Sequence, residues 1–316
     1  MKRQFLNKCS LTFILALSLI ACDSNDAPAQ DTESKPDTET DIDQENDDLS
    51  YLPKLENDLT WTLQPQVSNE FNFDGGKEAS EFTTDWKDGY INSWTGPGIT
   101  QYSYEQSDIV DGELVYHATI EGEKIKTGCI SSKAAVTYPM YMEVRVKLSE
   151  SVLSSAVWML SDDSTEEIDN LEAFGAKSSD YFSKRLHLSH HVFIRDPFQD
   201  YQPEGPETWY ADGKNTIWSD DYHNYGVLWE DPWSLSYYVD GKMVRKTPVD
   251  EIDPKNFTNG NGLTKPMHMI ISAAAQSWRS SDSQGAGAVD FLTDPTVANV
   301  DKTIMKVDWI RVYKPE

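Results

Sequence analysis

The sequence predicts an all-β fold: a jelly-roll β-sandwich of two curved antiparallel sheets, with an open cleft across one of them. Three observations lead there. Short runs of alternating apolar and polar residues recur from about residue 60 onward, turn residues punctuate them, and no long stretch carries helical periodicity. Side chains of a strand alternate faces with a period of two, so each such run buries one face and wets the other. Many short antiparallel strands of this kind form sandwiches and jelly rolls.

The chain begins with a segment that is not part of that fold. Lys2, Arg3 and Lys8 precede an apolar run from Leu11 to Ala21 that is too short to span a membrane as a stable helix. It ends Leu19-Ile20-Ala21-Cys22, which resembles a bacterial lipoprotein signal, with residues 1–21 removed and Cys22 as the lipid-bearing first residue. A plain secretory peptide that happens to contain a cysteine is the alternative. Residues 22–58 follow as an acidic tether. Its 23–50 stretch has almost no large apolar side chains, and Lys35 is its one base. Such a composition cannot bury enough surface to offset chain entropy, so a disordered, self-repelling linker is expected.

Residues 59–316 are long enough to bury a full core as one domain. Strands are expected over 68–73, 113–120, 141–148 and 154–160, then over an acidic run that follows the Asp162-Asp163 turn. In 141–148 the alternation is clean: Met142, Val144, Val146 and Leu148 share one face, Glu143, Arg145 and Lys147 the other. Further strands are expected over 184–194, 222–229 and 235–239. Asp240-Gly241 signals a hairpin back through 242–245, and 267–273 and 303–313 close the domain. Cys129 is the one cysteine left in the domain, so no intrachain disulfide forms there. Its setting between Gly128 and Ile130 suits a buried thiol better than a nucleophile.

The formal net charge is −26, partly from the tether but mostly from the domain that follows. An acidic domain argues against a nucleic-acid partner and mildly against a heavily sulfated polyanion, although a local basic cleft can override the second point.

The informative stretch is Glu166-Glu167-Ile168-Asp169-Asn170-Leu171-Glu172-Ala173. On a regular strand Glu167 and Asp169 share a face while Glu172, five residues from Glu167, points away. A β-bulge near Asn170–Leu171 restores the phase and gathers all three acids on one face; such bulges are over-represented beside active sites. Carboxyl tips free to lean together suit a retaining glycosidase, which holds its pair about 5–5.5 Å apart, against about 6.5–9.5 Å in inverting enzymes. An acidic surface strand or part of a calcium site would also use such residues, but here the acids interleave with Ile168, Leu171 and Ala173. Glu166 alternates onto the opposite face and ranks well below Glu167 as a nucleophile.

Glu167-Ile168-Asp169-Asn170-Leu171-Glu172 resembles the catalytic signature of glycoside hydrolase family 16 in its bulged form. Three further segments resemble the β-agarase branch: Trp94-Thr95-Gly96-Pro97-Gly98, the run from His190 to Pro203, and Val307-Asp308-Trp309-Ile310-Arg311-Val312-Tyr313. The resemblance covers essentially all of residues 60–316. It implies Glu167 as nucleophile, Glu172 as general acid/base and Asp169 between them, orienting Glu167, with no catalytic cofactor. It also implies a structural calcium on the sheet away from the cleft at Asp308, with Glu70 assisting. An exposed strand aspartate would look the same.

Around these acids the substrate-binding candidates are Trp94, Trp158, His191, Arg195, Gln276 and Trp278. Flat rings stack on the apolar face of a pyranose, although most buried tryptophans are core. Trp94 lies in a Gly/Pro-rich loop and Trp278 in Gln276-Ser277-Trp278-Arg279; Trp158 suits the cleft floor and the core equally, and Trp218, Trp229, Trp233 and Trp309 are expected in packing. His187 and His191 share a strand face but sit about 13 Å apart along it, too far for one zinc ion whose ligand atoms lie about 2 Å from the metal. One histidine lining a sugar cleft is the better reading, and the resemblance favours His191. Arg195 serves as a sugar or loop anchor, or as an ordinary salt-bridge residue. One departure stands out: Ala273-Ala274-Ala275 precede Gln276, where the agarase pattern commonly has an acidic residue.

The expectation is therefore an exported, lipid-anchored, monomeric endo-β-agarase acting on an agar-type galactan. A porphyranase or other sulfated-galactan hydrolase is the second reading, its sulfate pocket supplied by Arg195, Arg279 and Lys184. A non-catalytic surface glycan-binding lipoprotein is the third, and it has no use for the Glu167/Glu172 pair.

Overall fold

The computed structural model describes residues 51–55, 58–283 and 287–316. The expected signal segment, Cys22 and most of the tether lie outside the described residues. The fold is a sandwich of two eight-stranded sheets, with a small third sheet at 100–127. One sheet runs, in spatial order, Lys242–Lys246, Ser234–Val239, His223–Asp231, Met140–Lys147, Met305–Pro315, Glu113–Tyr116 and Ser107–Val110, with Trp61–Leu63 paired onto Met305–Pro315. The other runs Phe198–Tyr201, Leu186–Arg195, Glu166–Ala173, Ser154–Ser161, Met267–Ala274, Cys129–Val136 and Trp86–Asp88, with Trp209–Tyr210 paired onto Leu186–Arg195. Every pairing in both sheets is antiparallel.

The main core fills the space between the sheets. Met142, Val144 and Val146 meet Val157, Met159, Ile168, Leu171 and Ile271 there, all fully buried. The alternation read from the sequence at 141–148 therefore points the expected side inward. Its other face is not simply wet: Glu143 is fully buried and accepts from the Tyr141 hydroxyl at 3.1 Å. Gly226 faces Glu143 across the ladder, and a Cβ there would come within 2.2 Å of the Tyr141 oxygen, so the close approach requires glycine.

Three expectations need correction. Residues 113–120 are not one strand: the run breaks at His117, with Glu113–Tyr116 in a large sheet and Ala118–Glu121 in the small third one. Residues 68–73 do not form a strand: Asn69 makes a single bridge to Ile310, and the positive φ of Phe71 (51°) turns the chain so that its ring enters the core. The domain also begins earlier than residue 59. Leu52 is buried with Tyr141 and Tyr313, and the Trp61 indole donates to the Pro53 carbonyl at 2.7 Å. Tyr51 and Leu52 bring the apolar surface that 23–50 lacks.

Candidate active site

The acidic strand Glu166–Ala173 carries the expected bulge. Trp158 faces Asp169 and Val157 faces Leu171, so Asn170 is skipped by the strand Ser154–Ser161. On the other side Asp169 faces Ser189 and Glu172 faces His187, leaving Asn170 and Leu171 opposite Leu188 alone. Both positions of the bulge turn inward: Leu171 joins the core, and buried Asn170 donates from Nδ2 to the Tyr225 carbonyl of the opposite sheet at 3.0 Å. With the phase reset, Glu167, Asp169 and Glu172 all line one open cleft of about 920 Å³. Glu166 falls on the other side, 2% exposed, accepting from the Thr264 and Lys265 amides at 2.7 and 2.9 Å.

The three acids keep side-chain exposures of 15%, 13% and 15%, largely desolvated yet reachable from the cleft. Histidines of the neighbouring strand hold them. His191 Nε2 lies 3.5 Å from Asp169 Oδ2 and 3.9 Å from Glu167 Oε1, while its Nδ1 bonds Asp200 Oδ1 at 2.8 Å. Burial pulls the imidazole pKa down, but the Asp200 hydrogen bond and the charges of Glu167 and Asp169 outweigh it and carry His191 up to about 10. It is an imidazolium between carboxylates.

Burial, then the charge of Asp169, pushes Glu167 up to about 8 against the pull of His191. Burial raises Asp169 as well, with Glu172 adding to it. Polar atoms of Glu167, Asp169 and His191 all lie within 4.8 Å of one another. Two carboxyl groups this close hold a proton between them, and that proton belongs to the pair. At the far end His187 Nδ1 sits 3.3 Å from Glu172 Oε2. Both His187 and His191 thus line the cleft, two histidines where one was expected, whereas His190 is buried below with Nε2 against the Ile252 carbonyl at 2.9 Å. Burial pushes His190 down to about 3.

All six substrate-binding candidates line the same cleft. Trp158 is its floor: 9% exposed, with its indole donating to Ser272 Oγ at 3.2 Å. Trp94 stands 44% exposed at one end, edge-on to Tyr90 at 4.9 Å. Its loop is set by Gly96 at φ +116°, where a Cβ would meet Thr100 at 2.6 Å. Trp278, 41% exposed, lies edge-on to Trp209 at 6.2 Å. Gln276 Nε2 is 3.5 Å from Ser154 Oγ. Arg195 lies over the Phe193 ring at 4.2 Å and donates to the Ser164 carbonyl, so it anchors a loop at the rim. Ala273, Ala274 and Ala275 are buried.

Sequence reasoning missed Tyr90, Tyr102, Asp200, Trp209 and Ser272, which also line the cleft. It offered Arg279 and Lys184 as sulfate ligands, and neither lines the cleft. Arg279 is 2% exposed, clamped between Phe174 and Phe182 at 4.3 and 4.0 Å, and Lys184 pairs with Asp180 at 3.0 Å.

Asp308 and Glu70 line a different cavity, on the other sheet, with Asn72, Asp111, Glu113 and Arg145. Hard oxygens suit calcium. Here, however, both Glu70 oxygens accept from Arg311 at 2.8 and 2.9 Å, and Asp308 faces Arg145 at 3.3 Å. Two guanidinium groups already supply the countercharge, so these two side chains as arranged do not fit a calcium site.

Comparison with known proteins identifies the family. A family model described as the GH16 domain of β-porphyranases A–D matches residues 61–315. β-Agarase B of Zobellia galactanivorans is 45% identical over 281 residues, covering 81% of this chain and 79% of that protein. β-Agarase AgaA of Microbulbifer thermotolerans is 48% identical over 266 residues, covering 81% of this chain and 59% of that protein. Among solved structures, an inactivated mutant of β-agarase B in complex with agaro-octaose superposes with a TM-score of 0.75 at 43% identity, covering 82% of this chain and 95% of that one.

Proposed function

The chain belongs to glycoside hydrolase family 16, in its β-agarase and β-porphyranase branch, and on that premise we propose that it is an endo-acting, retaining β-agarase that cleaves the β-1,4-galactosidic bonds of agarose. The observation that carries the chemistry is the bulge at Asn170, which sets Glu167, Asp169 and Glu172 on one face of an open cleft.

The roles are those that the family resemblance implies. Glu167 attacks the anomeric carbon, and Glu172 gives its proton to the departing 4-oxygen, leaving a glycosyl-enzyme. Glu172 then takes a proton from water as that water attacks the same carbon, which releases Glu167 and retains configuration. For Glu167 to attack, the proton that the pair shares must lie on Asp169, donating to Glu167, and the His191 imidazolium favours that anion. No cofactor enters these steps. A calcium on the far sheet would require Glu70 and Asp308 to exchange their arginine partners for the ion.

Two observations favour agarose over a sulfated galactan. The relatives at 45% and 48% identity are named β-agarases. Of the three cations a sulfate pocket could draw on, Arg195 alone lines the cleft. The family model bears the porphyranase name, so porphyran is the second substrate to test. Export fits this reading, with Cys22 as lipid anchor, residues 23–50 as spacer and a monomeric domain. Reducing-end release on agarose, porphyran and carrageenan side by side is the decisive assay. Agarose is expected to be cleaved fastest, and faster cleavage of porphyran overturns the substrate assignment.

A further inference from the structure

His187 stands in a line of three side chains across three strands. It faces Glu172 on one side of the ladder and Trp209 on the other. Its ring lies nearly flat on the Trp209 indole, 4.5 Å between centroids at 29°, and the residue is 7% exposed. Trp209 is itself packed by Phe174, Phe182 and Trp278. The imidazole therefore has little room to turn.

Its buried Nδ1 has no aligned hydrogen-bond partner, and the Glu172 carboxyl is 3.3 Å away. Among the described residues no other hydrogen bond or ion pair holds that carboxyl. Catalytic contacts are often long in a substrate-free site and tighten when substrate binds. Glu167 and Asp169 have His191, itself held by Asp200, to orient them; among the described residues His187 is the one side chain within ion-pair distance of the Glu172 carboxyl.

We infer that His187 is the positioning residue of the acid/base: its Nδ1–H donates to Oε2 of Glu172 and turns Oε1, which carries the transferable proton, toward the departing sugar oxygen. The inference rests on the reading of Glu172 as acid/base. Trp209 acts one step further out, fixing the plane of the imidazole.

The test separates proton delivery from binding and folding. His187→Phe keeps a flat ring on Trp209 but has no nitrogen. His187→Asn places an amide nitrogen near the position of Nδ1, and His187→Gln places it too far out. Each is assayed on agarose and on a dinitrophenyl β-glycoside of an agar-derived oligosaccharide, whose phenolate leaves without a proton. His187→Phe is expected to lower kcat/KM on agarose about 10- to 100-fold, part of what general acid–base catalysis supplies, and by less than about threefold on the aryl glycoside. His187→Asn restores most of the agarose activity and His187→Gln does not. Equal losses on both substrates, no loss on agarose, or equal behaviour of the Asn and Gln variants overturns the inference. Should His187→Phe fail to fold, the Asn/Gln contrast decides alone. Glu172→Ala is the control. If it shows no leaving-group selectivity, the acid/base reading itself fails; if it does and the His187 variants do not, the positioning role alone falls.

Discussion

The side-chain amide of Asn170 reaches across the sandwich to the main-chain carbonyl of Tyr225, 3.0 Å away in the sheet opposite the cleft. This bond pins the extra residue of the bulge to the core, and so sets the direction of Glu172. Asn170→Ala should cost about 1–3 kcal/mol, because it removes a buried hydrogen bond between the two sheets and opens a small void. It should also lower kcat by at least tenfold while Glu167 stays in place. Thermal denaturation and agarose kinetics on the same preparation check both; an unchanged kcat would mean that the bulge holds without its anchor.

Glu167→Gln and Glu172→Gln should each abolish hydrolysis while oligosaccharide binding and melting temperature stay close to wild type. Azide should restore turnover to a Glu172→Ala variant on an activated aryl glycoside, because the small anion attacks the glycosyl-enzyme without needing a base. Glu166→Gln should behave differently. It disturbs two amide hydrogen bonds on the far side of the strand, so it should lower stability and leave the rate per folded molecule intact. A Glu167 variant retaining half of wild-type activity would remove that residue from the mechanism.

Asp200→Asn should move the alkaline limb of the pH–rate profile to lower pH. His191 is carried up to about 10, above the ordinary imidazole value, with the Asp200 hydrogen bond the first of the upward influences. A group whose folded pKa is raised contributes stability that is complete below its unfolded pKa, near 6.5, and lost as pH rises toward the folded one. Removing Asp200 lowers the upper edge of that window, so the imidazolium beside Glu167 is lost earlier. The kcat/KM profile and an NMR titration of His191 read the shift; an unmoved limb would detach His191 from the rate.

Glu143→Gln should stabilise the protein at neutral and higher pH and change little near pH 4. Burial pushes Glu143 up to about 7, so the folded state resists its ionisation. The penalty is absent below the unfolded carboxyl pKa and grows as pH rises toward the folded one. Melting temperatures of both proteins across pH 4–9 should diverge upward with pH, and parallel curves would refute the account.

Much of this was legible in the chain. Alternation marked a strand at 141–148, where the structure has Met140–Lys147, and the Glu-x-Asp-x-x-Glu spacing demanded the bulge, because three acids among core residues cannot otherwise share a face. Cys129–Val136 was missed because its small serines and alanines carry no alternation, although the strand lies inside the cleft sheet. Asp200 and Trp209 were missed because they reach the site across short edge pairings that sequence proximity does not announce. His187 did carry a signal: it shares a face with His191, so a strand that presents one to the cleft presents both.

The packing of Leu52 against Tyr141 and Tyr313 fixes where the upstream chain joins the domain: on the outer side of the sheet that does not carry the cleft. A hydrolase working on a gel much larger than itself needs its groove unobstructed along the whole bound strand. The described chain before Trp61 lies on the back of the sandwich and leaves that groove open.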